Sequence, residues 1–262
     1  MKYLNKTIIG DYMIDIHVHI LSETDDGATN FSESVALLFE AKKAGFTGLV
    51  CTPHYMRNLY DNDVAYIYER IKELEIDAKR IGINLYQGNE ISATGDICEL
   101  IEQSKVTRIN NSRYLLIEFP MIEKPIKNSM EIIDNIVNKG YVPIIAHPER
   151  YPYVQKDIKY AKELISRGAL LQANFASIDG YYGGAAKKTI IKLLRNKMIH
   201  FLGTDTHRKK TIYINIDKYV DMYMKYLSEN EFDELTYKNP IRVINDDRIK
   251  IENKGTKRFK KN

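Results

Sequence analysis

Only two cysteines, Cys51 and Cys98, occur in 262 residues, and tryptophan is absent. Two thiols are too few for a disulfide framework in a chain long enough to bury its own core, so a reducing, cytoplasmic setting is expected. No apolar run approaches the ~20 residues that cross a bilayer. The longest, such as Tyr114–Ile117 and Val142–Ala146, have the length of strands. Lys2 and Lys6 lead into no continuous apolar stretch, so neither a secretory signal nor membrane insertion is expected. No Ser/Gly/Pro-rich linker, internal repeat or low-complexity segment divides the chain.

The body also lacks a charge of one sign. The 39 Lys/Arg and 35 Asp/Glu give a net charge of +4, but seven of the bases and one acid fall between Arg248 and Asn262. What remains, 32 bases against 34 acids, is close to neutral and offers no nucleic-acid-binding face. The basic segment reads as a solvated, disordered tail. With 44% hydrophobic and 28% charged residues, the chain is an ordinary globular one, not collagen, coiled coil or a disordered polymer. The expected organisation is an N-terminal extension at 1–12, one domain at 13–247 and the tail at 248–262.

What is there is alternation. Strand-like runs at Met13–His17, Gly48–Thr52, Asn84–Gly88, Tyr114–Glu118, Val142–His147, Leu170–Asn174 and His200–Thr204 are separated by amphipathic stretches. These are Ser32–Ala44, Asp63–Ile81, Ile126–Asn138, Lys156–Arg167, Ala185–Arg195 and Ile216–Leu227. Gly45, Gly140 and Gly168 punctuate helix ends. Repeated β-then-α units imply parallel strands with crossover helices. About seven such units fit a distorted (β/α) barrel better than an open sheet, though the pattern does not decide between them.

Chemistry-bearing residues gather at the C-terminal ends of these runs, the edge where parallel barrels build active sites. His17 and His19 form H-x-H, a spacing that sends both imidazoles to one face of an extended chain. Asp25-Asp26-Gly27, Thr52-Pro53-His54, Gly88-Asn89-Glu90, Glu118, His147 and Asp205-Thr206-His207 occupy the other ends. A lone histidine there is usually structural, but five of the six histidines share this edge with three carboxylates. His200, the sixth, falls inside an expected strand and reads as a packed residue. Imidazoles and carboxylates without thiolates suit Mn, Fe or Zn, and eight or nine donors exceed the needs of one ion. Two or three adjacent ions suit phosphoester hydrolysis.

The ordered set H-x-H, D-D-G, T-P-H, G-x-E, L-I-E-F, A-H-P-E-R-Y and D-x-H resembles the PHP (polymerase and histidinol phosphatase) metallo-phosphoesterases. More narrowly, it is similar to their bacterial manganese-dependent protein tyrosine phosphatases, which act on kinases regulating capsule and exopolysaccharide. Asn111-Ser112-Arg113-Tyr114, Glu149-Arg150-Tyr151, Gln172-x-Asn174 with Gly180 and Gly184, and Asn239-Pro240 extend the likeness from Met13 to about Asn245.

The resemblance implies a TIM-barrel-like fold. It assigns one ion to His17, His19, Glu90 and Asp205, and a second to Glu90, Glu118 and His147. A third falls to His54, His207 and a D-D-G carboxylate, Asp26 rather than Asp25. The ions implied are two or three Mn²⁺, with Fe or Zn as alternatives. Arg150 is expected beside the phosphate, where a guanidinium pairs bidentately with its oxygens. Relatives carry a second arginine in an R-P-P stretch after D-x-H; here the stretch reads Arg208-Lys209-Lys210-Thr211, without prolines.

The expected activity is hydrolysis of phosphotyrosine on a protein, such as a bacterial tyrosine kinase tail. The runner-up is a small-molecule phosphatase such as one for histidinol phosphate. A catalytically dead binding or regulatory module of the same kind is disfavoured because every expected ligand position is filled. Cys51 and Arg57 also stand in the C-x5-R spacing of thiol-dependent phosphatases, but Pro53 removes a backbone donor that such a phosphate loop needs, and Tyr55 and Met56 are bulky.

Overall fold

The structure, a computed structural model, describes residues 12–249. Apart from Tyr12, Arg248 and Ile249, the expected extension and basic tail lie outside the described residues. The strands are β1 (Met13–Val18), β2 (Phe46–Cys51), β3 (His54–Tyr55), β4 (Asn84–Gln87), β5 (Glu90–Ser92), β6 (Tyr114–Glu118), β7 (Val142–Ala146), β8 (Leu170–Asn174) and β9 (Phe201–Gly203). The helices are α1 (Phe31–Lys43), α2 (Val64–Ile81), α3 (Ile97–Glu102), α4 (Ser129–Asn138), α5 (Pro152–Lys156), α6 (Lys159–Ser166), α7 (Gly184–Arg195), α8 (Ile216–Tyr223), α9 (Glu229–Asp233) and α10 (Asn239–Ile244).

All strand pairings are parallel. One sheet has the order β1-β2-β4 and the other β3-β5-β6-β7-β8-β9. β2 and β3 are two pieces of one stave, broken at Thr52-Pro53 where proline cannot donate to the ladder. β4 and β5 similarly flank Gly88-Asn89. Seven staves therefore follow one another in chain order. The last returns to the first: Asp205 N donates to His17 O at 2.8 Å, and His19 N donates to Thr206 O at 3.0 Å. The result is the expected distorted α/β barrel.

Side-chain alternation sets the layers. Tyr114 and Leu116 of β6, Ile144 and Ala146 of β7, Leu170 of β8 and Phe201 of β9 fill an inner core with Ile16 and Val50. Their neighbours Leu115, Ile117, Ile145, Leu171 and Leu202 pack outward under the helices. With both faces covered, β6 and β7 are hydrophobic for almost their whole length rather than alternating with polar residues. Two residues beyond the inner core along the same face come Glu118, Gln172 and Gly203, so the period of two carries the interior upward into polar chemistry.

Element ends depart from the sequence expectation for local reasons. α1 begins one residue before the expected Ser32 because Asn30 caps it, its side chain accepting from Glu33 N. The expected helix 156–167 starts only at Lys159, since extended Asp157 accepts from Lys159 N. Ile126–Asn138 begins at Ser129, and Ile216–Leu227 ends at Tyr223. His200 stands just before the last strand, not inside it. The short helices α3 and α5 carry too few turns for a periodic signal, whereas α9 and α10 are joined through a π-helical turn at Glu234–Lys238 that breaks the period of the run.

Candidate metal centre

The strand ends bring all nine expected ligands together. His17 Nε2 lies 3.1 Å from His19 Nε2, 3.1 Å from Glu90 Oε2 and 3.5 Å from Asp205 Oδ1. His19 Nε2 is 3.3 Å from the same Glu90 oxygen and 3.5 Å from Asp205 Oδ1. His54 Nδ1 approaches Glu90 Oε2 at 3.2 Å and Glu118 Oε2 at 3.9 Å. His147 Nε2 meets Glu90 Oε1 at 2.9 Å and Glu118 Oε1 at 3.6 Å. Asp26 Oδ1 stands 3.7 Å from His54 Nε2 and 3.4 Å from His207 Nε2.

Three groups could each hold an ion: His17, His19, Glu90 and Asp205; His19, Asp26, His54 and His207; and His54, Glu90 and Glu118. His147 adjoins the last. His19 and His54 each belong to two groups, so the partition is less exclusive than the resemblance implied.

Backbone irregularity aims these side chains. The β1–β2 register shifts between Asp15 and Val18, at His17. His147 (φ 31°) and Asp205 (φ 54°) occupy the left-handed region, a conformation non-glycine residues hold only when surroundings enforce it. Gly203 permits the crowding: a Cβ there would come within 2.9 Å of both Gln172 Nε2 and His17 Cβ.

The donor chemistry fits divalent ions. His17 Nδ1 is tied to Gln172 Oε1 at 2.9 Å, His19 Nδ1 to Asp25 Oδ2 at 2.7 Å and His207 Nδ1 to Asp205 O at 3.0 Å. Each acceptor receives the Nδ1–H hydrogen bond, which turns Nε2 inward as the atom that would bind an ion. The Nε2 atoms of His17 and His19 thus face each other beside buried carboxylates. Glu90 Oε2 and His54 Nδ1 are buried without hydrogen-bond partners. A cation resolves both.

Electrostatics agree. Burial opposes charge on His17, yet Glu90 and Asp205 push its pKa up to about 9. Burial likewise opposes charge on Glu90, but His17 and His54 hold its carboxyl well below the usual range. Burial and the neighbouring Glu90 and Asp205 carboxylates push Glu118 up to about 8. The cluster has a surplus of negative charge that positive charge relieves.

Arg150 reaches this centre. Its Nη1 donates to Asp205 Oδ2 at 2.7 Å, and its guanidinium lies 4.4 Å over the Tyr182 ring. Glu149, the obvious structural partner, accepts instead from Asn174 N and Ser177 Oγ. A cavity of about 460 Å³ opens over the cluster, walled by Met56, Tyr60, Met121, Tyr181, Tyr182 and Ile212. Arg208 also lines it, with Nη1 buried and unpartnered.

Three functional contacts were not foreseen: Gln172 on His17, Asp25 on His19 and Tyr182 under Arg150. For Gln172 a signal existed, because Gln172-x-Asn174 spacing places both side chains on the inner face. The C-x5-R reading fails on geometry. Cys51 is fully buried in β2, burial and Asp15 raise its thiol pKa, and Arg57 pairs with Asp96. His200 Nδ1 accepts from Leu171 N at 3.1 Å, away from the cluster.

Residues 13–245 match the family described as "Capsular polysaccharide synthesis, CpsB/CapC". A putative tyrosine-protein phosphatase CapC of Staphylococcus aureus is 38% identical over 197 residues, covering 74% of this chain and 77% of the relative. A crystal structure from work on YwqE of Bacillus subtilis and CpsB of Streptococcus pneumoniae, described as unique metal-dependent tyrosine phosphatases, superposes with a TM-score of 0.83 at 28% identity. That match covers 90% of this chain and 96% of the other. A histidinol phosphate phosphatase of Lactococcus lactis, solved with zinc, L-histidinol and phosphate, shares the fold with a TM-score of 0.55 at 17% identity. It covers 82% of this chain and 93% of that one.

Proposed function

The chain belongs to the capsular polysaccharide synthesis CpsB/CapC family, and on that premise we propose that it is a metal-dependent protein-tyrosine phosphatase. Its substrate is phosphotyrosine on a protein, in this reading the tail of a bacterial tyrosine kinase governing capsule or exopolysaccharide synthesis. The unit that acts is residues 13–247, working in the cytoplasm, where the free thiols Cys51 and Cys98 stay reduced. The observation that carries the reading is a guanidinium fixed beside a polynuclear donor cluster at the floor of an aromatic- and methionine-walled cavity.

His17, His19, Glu90 and Asp205 would hold one ion, Glu90, Glu118 and His147 a second, and His54, Asp26 and His207 a third, with Mn²⁺ the ion of choice. When bound, such ions supply Lewis acidity toward phosphoryl oxygens and an acidified water at neutral pH. Arg150 binds the phosphoryl oxygens and steadies the charge that builds on them. Asp205 and Tyr182 hold Arg150 in place from two sides. Met56, Tyr60, Met121 and Tyr181 clasp the phenyl ring. The leaving phenol has a pKa near ~10, so its departure demands less of a general acid than an alkyl alcohol does.

The test is release of phosphate from a phosphotyrosyl peptide by the purified protein, with and without chelator, beside histidinol phosphate. Chelator-sensitive turnover of the peptide, well above that of histidinol phosphate, is expected. Preference for histidinol phosphate would replace the reading with a small-molecule phosphatase.

A further inference from the structure

Tyr151 is fully buried and its hydroxyl is satisfied twice. It accepts from Phe119 N at 3.0 Å and donates to Ala146 O at 2.7 Å. Those two backbone groups belong to neighbouring staves. The β6–β7 pairing ends at Ile117–Ile145, and just beyond it the chain at His147 turns into the left-handed region, with φ 31° and ψ 55°. The hydroxyl therefore takes up a donor and an acceptor at the point where the ladder stops.

The residues flanking the bridge matter. Phe119 follows Glu118 directly, and Ala146 directly precedes His147. His147 Nε2 lies 2.9 Å from Glu90 Oε1 and 3.6 Å from Glu118 Oε1, so the ends of β6 and β7 bring this carboxylate and imidazole together beside Glu90. The Tyr151 ring is also set edge-on against His147, with centroids 5.9 Å apart at 74°, and stacks on Tyr153 behind it. One turn, His147–Tyr151, thus carries a ligand, the phosphate-facing Arg150 and a hydroxyl that fixes the spacing of the ligand pair.

We propose that Tyr151 is a positioning residue for a single ion, the one held between Glu118, His147 and Glu90, and leaves the His17–His19–Asp205 ion untouched. The proposal rests on the ligand sets given above. Removing the hydroxyl leaves a buried N–H and C=O without their shared partner, and the two strand ends must shift to recover a bond. Outer contacts of this kind commonly change metal affinity by about 10- to 100-fold.

The test is Mn²⁺ binding by calorimetry and by metal content after dialysis against graded Mn²⁺, on the full chain. The wild type, Tyr151→Phe and Tyr114→Phe are compared. Tyr114→Phe is the control for fold, because its hydroxyl donates to Asp247 O at the other end of the barrel. The expected result is one ion weakened by about tenfold or more in Tyr151→Phe, with the remaining ions at wild-type affinity and Tyr114→Phe unchanged. Equal weakening of every ion, or wild-type binding in Tyr151→Phe, overturns the proposal. A wild type that binds no metal instead overturns the ligand assignment on which it stands.

Discussion

Asp25 Oδ2 lies 2.7 Å from His19 Nδ1 and accepts from His54 N at 2.8 Å, so this carboxylate is spent on holding two imidazole-bearing segments. Its other oxygen accepts from Gly27 N at 2.8 Å. Asp26, by contrast, keeps its side chain 57% exposed and turned toward His54 and His207. Two adjacent, chemically identical residues thereby acquire different jobs. Asp26→Ala is expected to remove the ion between His54 and His207 and to spare the others. Asp25→Asn keeps the shape but substitutes an amide for the charged acceptor of His19, and it should weaken both ions that His19 adjoins. Metal content of the two variants, measured side by side, decides; identical losses would refute the division.

Glu90 makes the sharper case. Its Oε2 is within 3.3 Å of nitrogens on His17, His19 and His54, and its Oε1 is 2.9 Å from His147. In the proposed assignment, one carboxylate facing four imidazoles would serve more than one ion. Glu90→Ala should lower bound metal by more than one equivalent and abolish turnover. Normal stoichiometry together with normal turnover would remove the shared-carboxylate model.

Arg150 is expected to separate binding of metal from catalysis. Arg150→Ala should cut kcat/KM for a phosphotyrosyl peptide by roughly 10²-fold or more, while metal content stays near wild type. Arg150→Lys should recover little, since an ammonium cannot span Asp205 and a phosphate as a fork does. A loss confined to thermal stability would make the residue structural.

The fold and the gathering of the nine candidate ligands at one edge were legible because both are written in short-range periodicity. A spacing of two placed His17 with His19, and strand-end positions marked Glu118, His147 and Asp205. What stayed hidden depends on tertiary contact. No local pattern says that Asp25 binds His19 while Asp26 does not, that Gln172 meets His17 across 155 residues, or that the Tyr151 hydroxyl bridges β6 and β7. The start of α1 shifted for the same reason: that Asn30 caps it through Glu33 N is a matter of geometry that composition does not reveal.

The thiol mechanism provides a clean negative. Burial and the Asp15 carboxylate push the Cys51 thiol pKa up, which disfavours the thiolate that such a mechanism needs, and the sulfur is closed off from the cavity. Cys51→Ser is expected to keep most activity, whereas chelator should abolish it and added Mn²⁺ restore it. Chelator-resistant activity lost in Cys51→Ser would reverse the mechanism.

His200 gives a prediction about stability rather than turnover. Burial lowers its pKa to about 4 from an ordinary value of 6.5, and its Nδ1 must be unprotonated to accept from Leu171 N. The sign follows from proton uptake: below 6.5 the unfolded chain binds a proton that the folded chain refuses until about 4. Stability is therefore full above pH 6.5 and falls between 6.5 and 4, by at most about 3 kcal/mol for this group. Other groups titrate in the same window, so the informative quantity is a difference between proteins. His200→Gln retains an acceptor for Leu171 N but has no proton to bind. Urea midpoints for wild type and variant, taken at pH 7.5 and pH 4.5, should show the variant losing less stability on acidification. Parallel losses in the two proteins would mean that His200 is already protonated, or already exposed, in the native fold.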